Sequence, residues 1–372
     1  MPKTILIVED DKAILKGLED NLTREGYRIL SARDGKSGLA AVFKNQPDLV
    51  LLDVMLPQMG GLEVCRQLKK NGFEAPIFML TGLADERSRL EGLGLGADDY
   101  IPKPFSIREV LLRVKNALKR TEEVLGKAKA LDEELKRAKE IQRSSLPASP
   151  PKIQRLDIFG MMEPATYVGG DYFDYVVSGE LASIIVADVS GKGLPAAMYV
   201  QKMQGIVQSS KSRITGAKDI LEQLEEHLGV GMEATSFVTA TVATFDITKP
   251  SVTIANAGHL PVLFRRGKSV EEIKPDGLWI GSLSRDQFSA RLETREIELR
   301  RGDTLFMISD GVIESMNERG EEFGLERVKR LLAASSTSAR NIVHTCFRRI
   351  ETFSMSAQQH DDITIVGVRI TS

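Results

Sequence analysis

Acidic residues at the ends of apolar runs are the chemically most suggestive feature of the first third of the sequence. Glu9 and Asp10 end one apolar run and Asp53 ends another, while Thr81 and Lys103 end two later ones. If these runs are parallel strands, their carboxyl ends meet at one edge of a sheet, where ligands bind. Three carboxylates that converge there need a cation between them, and hard oxygen ligands favour Mg²⁺. With a lysine and a hydroxyl nearby, such a site suits acyl-phosphate chemistry.

A second acidic group lies further along the chain. Asp171 lies in VGGDYFD, Asp188 ends ASIIVAD, Asp310 ends DTLFMISD, and Asp361 precedes ITIVGVRI. Taken singly, such acids are ordinary turn or helix-cap residues, and the two glycines at 169–170 are ordinary turn chemistry. Alternatively, the glycines let the backbone approach an ion that Asp171 binds. Four acids in the same setting indicate one locus with two cations and a bridging carboxylate.

The elements that must hold the first acidic group are five βα units. Short apolar runs alternate with amphipathic helical stretches, a pattern typical of a parallel α/β sheet. The predicted strands lie at 4–10, 27–32, 49–55, 75–82 and 99–103. We therefore expect an α/β, doubly wound N-terminal domain at residues 1–120.

A long helix is predicted over residues 107–145, which contain no proline and are rich in Lys, Glu, Arg, Leu and Ala. Its apolar positions keep a heptad-like spacing at Leu111, Val114, Leu118, Leu125 and Ala128, and a second group, from 131 to 146, is offset by half a turn. Two interpretations of the linker at 121–147 remain open. It forms a short parallel coiled coil with a second chain, or it is a solvated, single-stranded helical spacer. The prolines of LPASPP end the helix.

Residues 148–372 have an α+β pattern. The predicted strands lie at 156–162, 182–190, 237–247, 251–257, 261–267, 294–300, 303–310 and 363–370. Helices are predicted in two groups, near 195–210 and 217–229 and near 325–334 and 338–352. Strands with helices grouped in this way predict sheets sandwiched between helices, an α-β-β-α arrangement.

Composition excludes several classes of protein. The 372 residues, 42% hydrophobic and 27% charged, are typical of a soluble globular chain with two or three domains. Fifty basic and 52 acidic residues imply no general attraction to nucleic acid or to an anionic membrane. Cys65 and Cys346 are too far apart in sequence to indicate a disulfide framework. No apolar run resembles a signal peptide or spans a bilayer, so we expect a cytoplasmic protein.

The N-terminal motifs ILIVEDD, LLDVMLPQMGG, MLTG and GADDYIPKPF resemble the receiver domain of two-component response regulators over residues 3–120. The resemblance implies that a histidine kinase phosphorylates Asp53 and that Mg²⁺ is bound there. Its implied ligands are Glu9, Asp10, Asp53 and the backbone carbonyl of Met55. The implied switch residues are Thr81, Tyr100 and Lys103, with a cis peptide between Lys103 and Pro104.

The same resemblance implies a homodimer through the face that such receivers build from their fourth helix, fifth strand and fifth helix. Asp98, Asp99, Arg108 and Arg113 are charges available to that face. No basic helix-turn-helix sequence follows, so we expect no direct contact with nucleic acid.

The later motifs IQRSSLP, GGDYFD, ADVSGKGLPAAM, NAGHLP, SDGVIE and DDIT resemble metal-dependent Ser/Thr phosphatases of type 2C (PPM) over residues 141–370. The resemblance is to the bacterial branch with stage II sporulation and stress-response phosphatases. It implies two Mn²⁺ or Mg²⁺ ions, with Asp171 on one, Asp310 and Asp361 on the other, and Asp188 bridging both. The Val189 backbone carbonyl is a further implied ligand. The implied nucleophile is a metal-bound water, and no side chain attacks phosphorus.

The sequence does not identify the general acid that would protonate the leaving group. The histidine that follows the bridging aspartate in the wider family has no counterpart in VSGKG, so this acid stays unassigned. His259, in NAGHLP, is better explained as a structural turn residue.

Together the resemblances imply a response regulator whose receiver controls a PPM-type phosphatase at residues 148–372. Its implied substrate is a phosphoserine or phosphothreonine protein, in particular the antagonist of an anti-sigma factor. The alternative is a catalytically inactive, phosphatase-like adaptor that binds a sigma factor or another regulatory protein. A decayed site would have lost at least one of the four aspartates, and all four are present.

Overall fold

The computed structural model describes residues 2–82, 96–233, 235–335 and 337–371. The chain divides into two compact units, Met1–Asp132 and Glu133–Ser372, which we call the N-terminal and C-terminal units. The division falls within one continuous helix, α4, at Ile107–Ser145. None of the described helices is both long enough and apolar enough to cross a membrane.

The N-terminal unit contains a parallel sheet in the order β2-β1-β3-β4-β5. The strands are β1 (Thr4–Val8), β2 (Arg28–Ala32), β3 (Leu49–Asp53), β4 (Ile77–Gly82) and β5 (Asp99–Lys103), and the first helices are α1 (Lys12–Arg24), α2 (Gly35–Asn45) and α3 (Gly61–Lys70). The predicted doubly wound α/β fold is confirmed, and the predicted strands differ from the observed ones mainly at their ends. The fourth helix of the predicted domain lies outside the described residues.

Apolar side chains on both faces of this sheet explain why the helices pack there. One cluster joins the sheet to α1 and the start of α4, and the other joins it to α2 and α3. Asp11 and Asp34 cap α1 and α2, because their side chains accept hydrogen bonds from first-turn amides. The Asp11 cap starts α1 directly after the end of β1, next to Glu9 and Asp10.

The first part of α4 belongs to the core of the N-terminal unit. Val114 is fully buried and Leu118 nearly so, both in the cluster that covers the sheet. The heptad-like spacing from 111 to 118 is therefore explained by packing within one chain, which leaves these positions unable to form a coiled-coil seam. Leu125 and Leu131, further along the helix, are more than half exposed.

The C-terminal unit contains two antiparallel five-stranded sheets, in the orders β13-β10-β9-β8-β7 and β12-β11-β14-β15-β6. The strands are β6 (Leu156–Glu163), β7 (Asp171–Ser178), β8 (Leu181–Val189), β9 (Val238–Asp246), β10 (Ser251–Ala257), β11 (Val262–Arg266), β12 (Ser269–Ile273), β13 (Thr294–Glu298), β14 (Thr304–Ile308) and β15 (Ile363–Ile370). The helices are α5 (Leu194–Ser210), α6 (Ala217–Leu228), α7 (Arg285–Arg291), α8 (Asp310–Glu314), α9 (Leu325–Ala334) and α10 (Ala339–Ser354), with short 3₁₀ turns at Lys211–Arg213 and Gly229–Gly231.

Three apolar layers hold this unit together. One lies between α5, α6 and the first sheet, one between the two sheets, and one between the second sheet and α9 and α10. The predicted α-β-β-α sandwich is confirmed. The sequence analysis did not predict β7, whose first six residues are all buried and which therefore lacks the alternation of a half-buried strand.

Candidate functional sites

The acids of the N-terminal unit converge as predicted at the carboxyl edge of the parallel sheet. Oxygen atoms of Glu9, Asp10 and Asp53 all lie within 4.8 Å of one another, a spacing that suits one cation. The Lys103 ammonium lies 2.7 Å from Glu9 Oε2 and 2.8 Å from Asp53 Oδ2. The Lys103–Pro104 peptide is cis, as predicted.

Burial controls the protonation of this cluster. Burial raises the pKa of Glu9 to about 7 against the opposing hydrogen bond from Lys103, and the Asp53 charge adds to the rise. Burial by itself lowers the pKa of Lys103, but hydrogen bonds to Asp53 and Glu9 outweigh it, so that this pKa is raised overall. The lysine is therefore a firmly charged partner for both acids.

The remaining predicted residues of this site lie around Asp53. The Met55 backbone N–H donates to Asp53 Oδ1 at 3.1 Å, which places Met55 in the loop beside the carboxylate. Thr81 is buried at the end of β4, with its hydroxyl 3.4 Å from the Gly82 carbonyl. The Tyr100 hydroxyl is buried and has no hydrogen-bond partner among the described residues, and burial raises its pKa to about 12.

The charges predicted for the dimer face are partly engaged within the chain. Arg113 pairs with Asp99 at 2.7 Å and with Glu109 at 2.8 Å. Asp98 pairs with Lys69 at 3.2 Å and accepts a hydrogen bond from the Ile77 backbone N–H. The helix that would complete this face lies outside the described residues.

The acids of the C-terminal unit meet where strands of both sheets end. Asp171 opens β7 and is paired directly with Asp188, near the end of β8. Asp310 is the first residue of α8, just after β14, and Asp361 lies two residues before β15, the antiparallel neighbour of β14. The antiparallel pairing of the two strand pairs thus brings four separate chain segments to one end of the sandwich.

Electrostatic coupling shows that these acids share one environment. Burial raises the pKa of Asp171 well above its ordinary value, and the charge of Asp188 raises it further. Burial raises the pKa of Asp188 to about 7, followed by the charges of Asp310 and Asp361. Burial and then the Asp361 charge raise the pKa of Asp310.

The local chemistry fits cations. Asp171 is buried, and its Oδ2 accepts no hydrogen bond in the described part of the chain. Burial and the Asp188 charge raise the pKa of Asp171 overall, although the nearby hydroxyls of Thr364 and Ser309 lower it. A buried carboxylate oxygen without a donor is costly, and a cation would satisfy it. In the described residues, no three of these aspartates bring oxygens within 4.8 Å of one another, so the set is more widely spaced than the N-terminal one.

The two glycines before Asp171 provide close approach and not a tight turn. Neither has a positive φ angle. A Cβ at Gly169 would overlap the Asp362 carboxylate, and a Cβ at Gly170 would lie 2.8 Å from the Val189 carbonyl oxygen. Glycine therefore lets the loop before β7 lie against the end of β8, where Asp188 and Val189 are.

Asp362 is a functional candidate that the sequence analysis passed over in favour of Asp361. Its buried carboxylate accepts hydrogen bonds from the backbone N–H groups of Ala165 at 2.8 Å and Gly170 at 2.6 Å. The two adjacent aspartates make different contacts just before β15, so they can serve two purposes. Asp361 faces Lys192, whose ammonium is 2.8 Å away. Asp362 binds the segment of Gly169 and Gly170, which we call the glycine loop.

His259 has a structural position. Its ring is buried, with Nδ1 2.8 Å from Thr239 Oγ1 and Nε2 3.1 Å from the Ile308 carbonyl. Burial lowers the pKa of His259 to about 4. A neutral histidine that ties β9 to the end of β14 is not available as a general acid, which agrees with the sequence interpretation.

A cleft of about 270 Å³ opens beside Asp361. Lys192, Glu314 and His360 line it together with the apolar side chains of Met316 and Met355. Of the four aspartates, Asp361 is the one that lines this cleft.

Family models match both parts of the chain. The family model described as stage II sporulation protein E (SpoIIE) matches residues 178–371, and that of the response regulator receiver domain matches residues 5–115. The chain belongs to the SpoIIE family of PP2C-type phosphatase domains and carries an N-terminal receiver domain. The SpoIIE match includes Asp188, Asp310 and Asp361 but begins after Asp171.

Individual relatives cover one part or the other. Response regulator MprA of Mycobacterium sp. (strain KMS) is 46% identical over 121 residues, which are 32% of this chain and 53% of MprA. The chain thus spans about half the length of the curated relatives it matches.

Two solved structures share the fold of the C-terminal unit. The SiaA-PP2C domain of Pseudomonas aeruginosa has a TM-score of 0.57 at 22% identity and covers 65% of this chain and 98% of its own. The RsbU and RsbW domains of Rv1364c from Mycobacterium tuberculosis have a TM-score of 0.52 at 25% identity, and the match covers 61% of this chain and 63% of that one.

Proposed function

We propose that this protein is a response regulator whose output is hydrolysis of a phosphoserine or phosphothreonine on a protein, controlled by phosphorylation of Asp53. The observation that carries the proposal is the pairing of Asp171 with Asp188: a buried and a partly buried carboxylate, both with raised pKa values, and an oxygen of Asp171 that accepts no hydrogen bond. A site of this kind is unfavourable by itself and is stabilised by cations.

Asp171, Asp188, Asp310, Asp361 and the Val189 carbonyl would hold two Mn²⁺ or Mg²⁺ ions. Ions bound in this way neutralise phosphoryl oxygens and lower the pKa of water. The chain supplies no side-chain nucleophile in this arrangement. Its acids fix the reacting groups, and the cleft beside Asp361 admits the phosphorylated segment of the substrate.

Lys192 would be the cationic side chain of this site. Its ammonium pairs with Asp361 and donates to the His360 carbonyl, so it neutralises part of the acidic charge. The side chain is more than half exposed at the mouth of the cleft. Lys192 would move from Asp361 to a phosphoryl oxygen when substrate binds.

In the receiver, Asp53 would accept the phosphoryl group from a histidine kinase. Glu9, Asp10, Asp53 and the Met55 carbonyl would hold Mg²⁺, which neutralises the acyl phosphate. Lys103 is already 2.8 Å from Asp53 and would hold the phosphoryl group there. Thr81 and Tyr100 would report the change to the rest of the domain, and dimerisation of receivers and linker helices would follow.

The substrate class is inferred from the family resemblance: a phosphorylated antagonist of an anti-sigma factor. Phosphate release from a generic aryl phosphate tests the enzymatic part without this assumption. We expect Mn²⁺-dependent hydrolysis by the full-length protein and none by Asp188→Ala with an unchanged circular dichroism spectrum. Full activity in Asp188→Ala would refute the assignment, and an inactive wild-type protein on phosphoprotein substrates would favour the adaptor.

A further inference from the structure

The last turn of α4 holds the loop that leads into the acidic site of the C-terminal unit. Gln142 is 5% exposed although its helix is mostly solvated. Its Nε2 donates to the Gly169 carbonyl at 2.7 Å, and its Oε1 accepts from the Gly169 backbone N–H at 3.0 Å. One side-chain amide therefore satisfies both polar groups of one peptide residue, which fixes the position and the orientation of the loop.

The other side of the same loop is fixed by Asp362. The Gly170 N–H donates to Asp362 Oδ2 at 2.6 Å, and Gly169 has no room for a side chain against this carboxylate. The glycine loop is thus clamped between Gln142 and Asp362. The next residue along the chain is Asp171, which opens β7 with its unsatisfied buried oxygen.

We propose that Gln142 is a positioning residue that sets the place of Asp171 and makes cation binding depend on the end of α4. An outer residue that orients a ligand is a general feature of metal sites, and its loss costs about 10–100-fold in affinity. Gln142 lies on a helix that begins in the N-terminal unit. The inference rests on the proposed function, because it takes Asp171 to be a metal ligand.

A second attachment of the same helix end supplies a matched control. The Ser145 carbonyl accepts a hydrogen bond from Gln204 Nε2 at 2.6 Å, and the Ser145 hydroxyl donates to Gln201 Oε1 at 2.9 Å. Both glutamines lie on α5 and do not touch the glycine loop in any hydrogen bond of the described residues. Gln204→Ala therefore loosens the helix end without releasing Gly169.

The test is calorimetric titration of the metal-free, full-length protein with Mn²⁺. All variants carry Asp10→Asn and Asp53→Asn, so that the receiver site does not contribute. Gln142→Met keeps the length of the side chain and removes both hydrogen bonds. We expect it to weaken Mn²⁺ binding about tenfold or more, while Gln204→Ala changes the affinity less than threefold. Gln142→Ala should repeat the loss, and thermal unfolding shows which variants are folded.

Two results overturn the inference. Folded Gln142→Met or Gln142→Ala with unchanged Mn²⁺ affinity shows that the amide does not position Asp171. An equal loss in Gln204→Ala shows that general attachment of the helix, and not the Gly169 clamp, matters. Asp171→Asn separates this failure from failure of the proposed function. If Asp171→Asn also binds Mn²⁺ with unchanged affinity, the assignment of Asp171 as a metal ligand is refuted as well. If Asp171→Asn binds Mn²⁺ weakly, only the role of Gln142 is refuted.

Discussion

Individual buried polar residues in the C-terminal unit divide into two kinds. Asp171 has an oxygen with no partner among the described residues, whereas His259 has partners for both ring nitrogens. The first kind is expected at a binding site and the second in a structural network. The environment of Asp171 thus agrees with the cation site proposed for it, whereas that of His259 agrees with a structural role.

His259 predicts a specific sensitivity to acid. Its folded-state pKa is about 4, below the value of about 6.5 expected in an unfolded chain, so the unfolded state binds more protons between these values. The contribution of neutral His259 to the free energy of unfolding is therefore fully present above pH ~6.5, and it is lost as the pH falls toward 4. The full shift corresponds to roughly 3 kcal/mol.

The measurement is urea unfolding of wild type and His259→Gln between pH 4 and 7.5. We expect the variant to lose less stability on acidification than wild type, although it is less stable at neutral pH because it packs less well. Parallel pH profiles for the two proteins would show that His259 is not buried in its neutral form. His227, which is at the end of α6 away from this network, serves as the control substitution His227→Gln.

The glycine loop before β7 links two elements through close packing. At Gly170 an added Cβ would lie 2.8 Å from the Val189 carbonyl and 3.2 Å from Ala196 Cβ, so Gly170→Ala must separate β7 from the end of β8. We expect a loss of about 1–3 kcal/mol in the free energy of unfolding together with loss of Mn²⁺-dependent hydrolysis.

Gly205→Ala is the matched control for this prediction. Gly205 lies within α5 with open space at its Cβ position, so alanine there should stabilise by up to about 1 kcal/mol. Chemical denaturation of both variants checks the pair. Equal stability of Gly170→Ala and wild type would mean that the loop does not lie as close to β8 as described.

The long helix gives a prediction about communication between the units. Gly126, within α4, has nothing near its Cβ position, so alanine is accepted while proline breaks the helix at a cost of about 3 kcal/mol. We expect Gly126→Pro to keep basal hydrolysis but lose the response to a phosphoryl mimic on Asp53, and Gly126→Ala to keep both. The test is the hydrolysis rate of each variant, measured with and without beryllofluoride. A normal response in Gly126→Pro would show that α4 need not be continuous.

Sequence patterns predicted elements well where one physical signal dominated. Apolar runs that end in acids predicted the sheet of the N-terminal unit. They also placed Asp188, Asp310 and Asp361 at or next to strands, whereas Asp171 opens a strand that was not predicted. The strand β7 was missed because both of its faces are buried and because Asp171 and Asp174 interrupt its apolar residues. The heptad spacing at Val114 and Leu118 was ambiguous, since packing on the chain's own sheet produces the same repeat as packing on a second helix.

Tertiary partners could not be predicted from local patterns. Gln142 lies in a charged helical segment where a solvated glutamine is the ordinary expectation, and its partner is 27 positions away. The choice between Asp361 and Asp362 depends on their tertiary contacts, which are with Lys192 for Asp361 and with Gly170 for Asp362. Long-range hydrogen bonds of this kind have no periodicity in the sequence.

At the scale of the whole molecule, two regulatory chemistries are joined in one chain. The N-terminal unit has a compact acidic cluster whose spacing suits one cation, and the C-terminal unit has a more widely spaced set of acids for which we propose two cations. The family matches assign a receiver to the first and a SpoIIE-type phosphatase domain to the second. In the function proposed above, phosphorylation would change the charge at Asp53, and the receiver would convert that local change into a different packing.

The measurement that tests this account most directly is the rate of Mn²⁺-dependent aryl phosphate hydrolysis by the full-length protein, with and without beryllofluoride. Asp310→Ala reports hydrolysis that does not come from the acidic site, and Asp53→Asn reports effects of beryllofluoride that do not come from the receiver. We predict hydrolysis that requires Mn²⁺ and Asp310, and a rate that changes with beryllofluoride in wild type but not in Asp53→Asn. Hydrolysis that survives in Asp310→Ala, or equal wild-type rates with and without beryllofluoride, would contradict a receiver-controlled metal-dependent phosphatase.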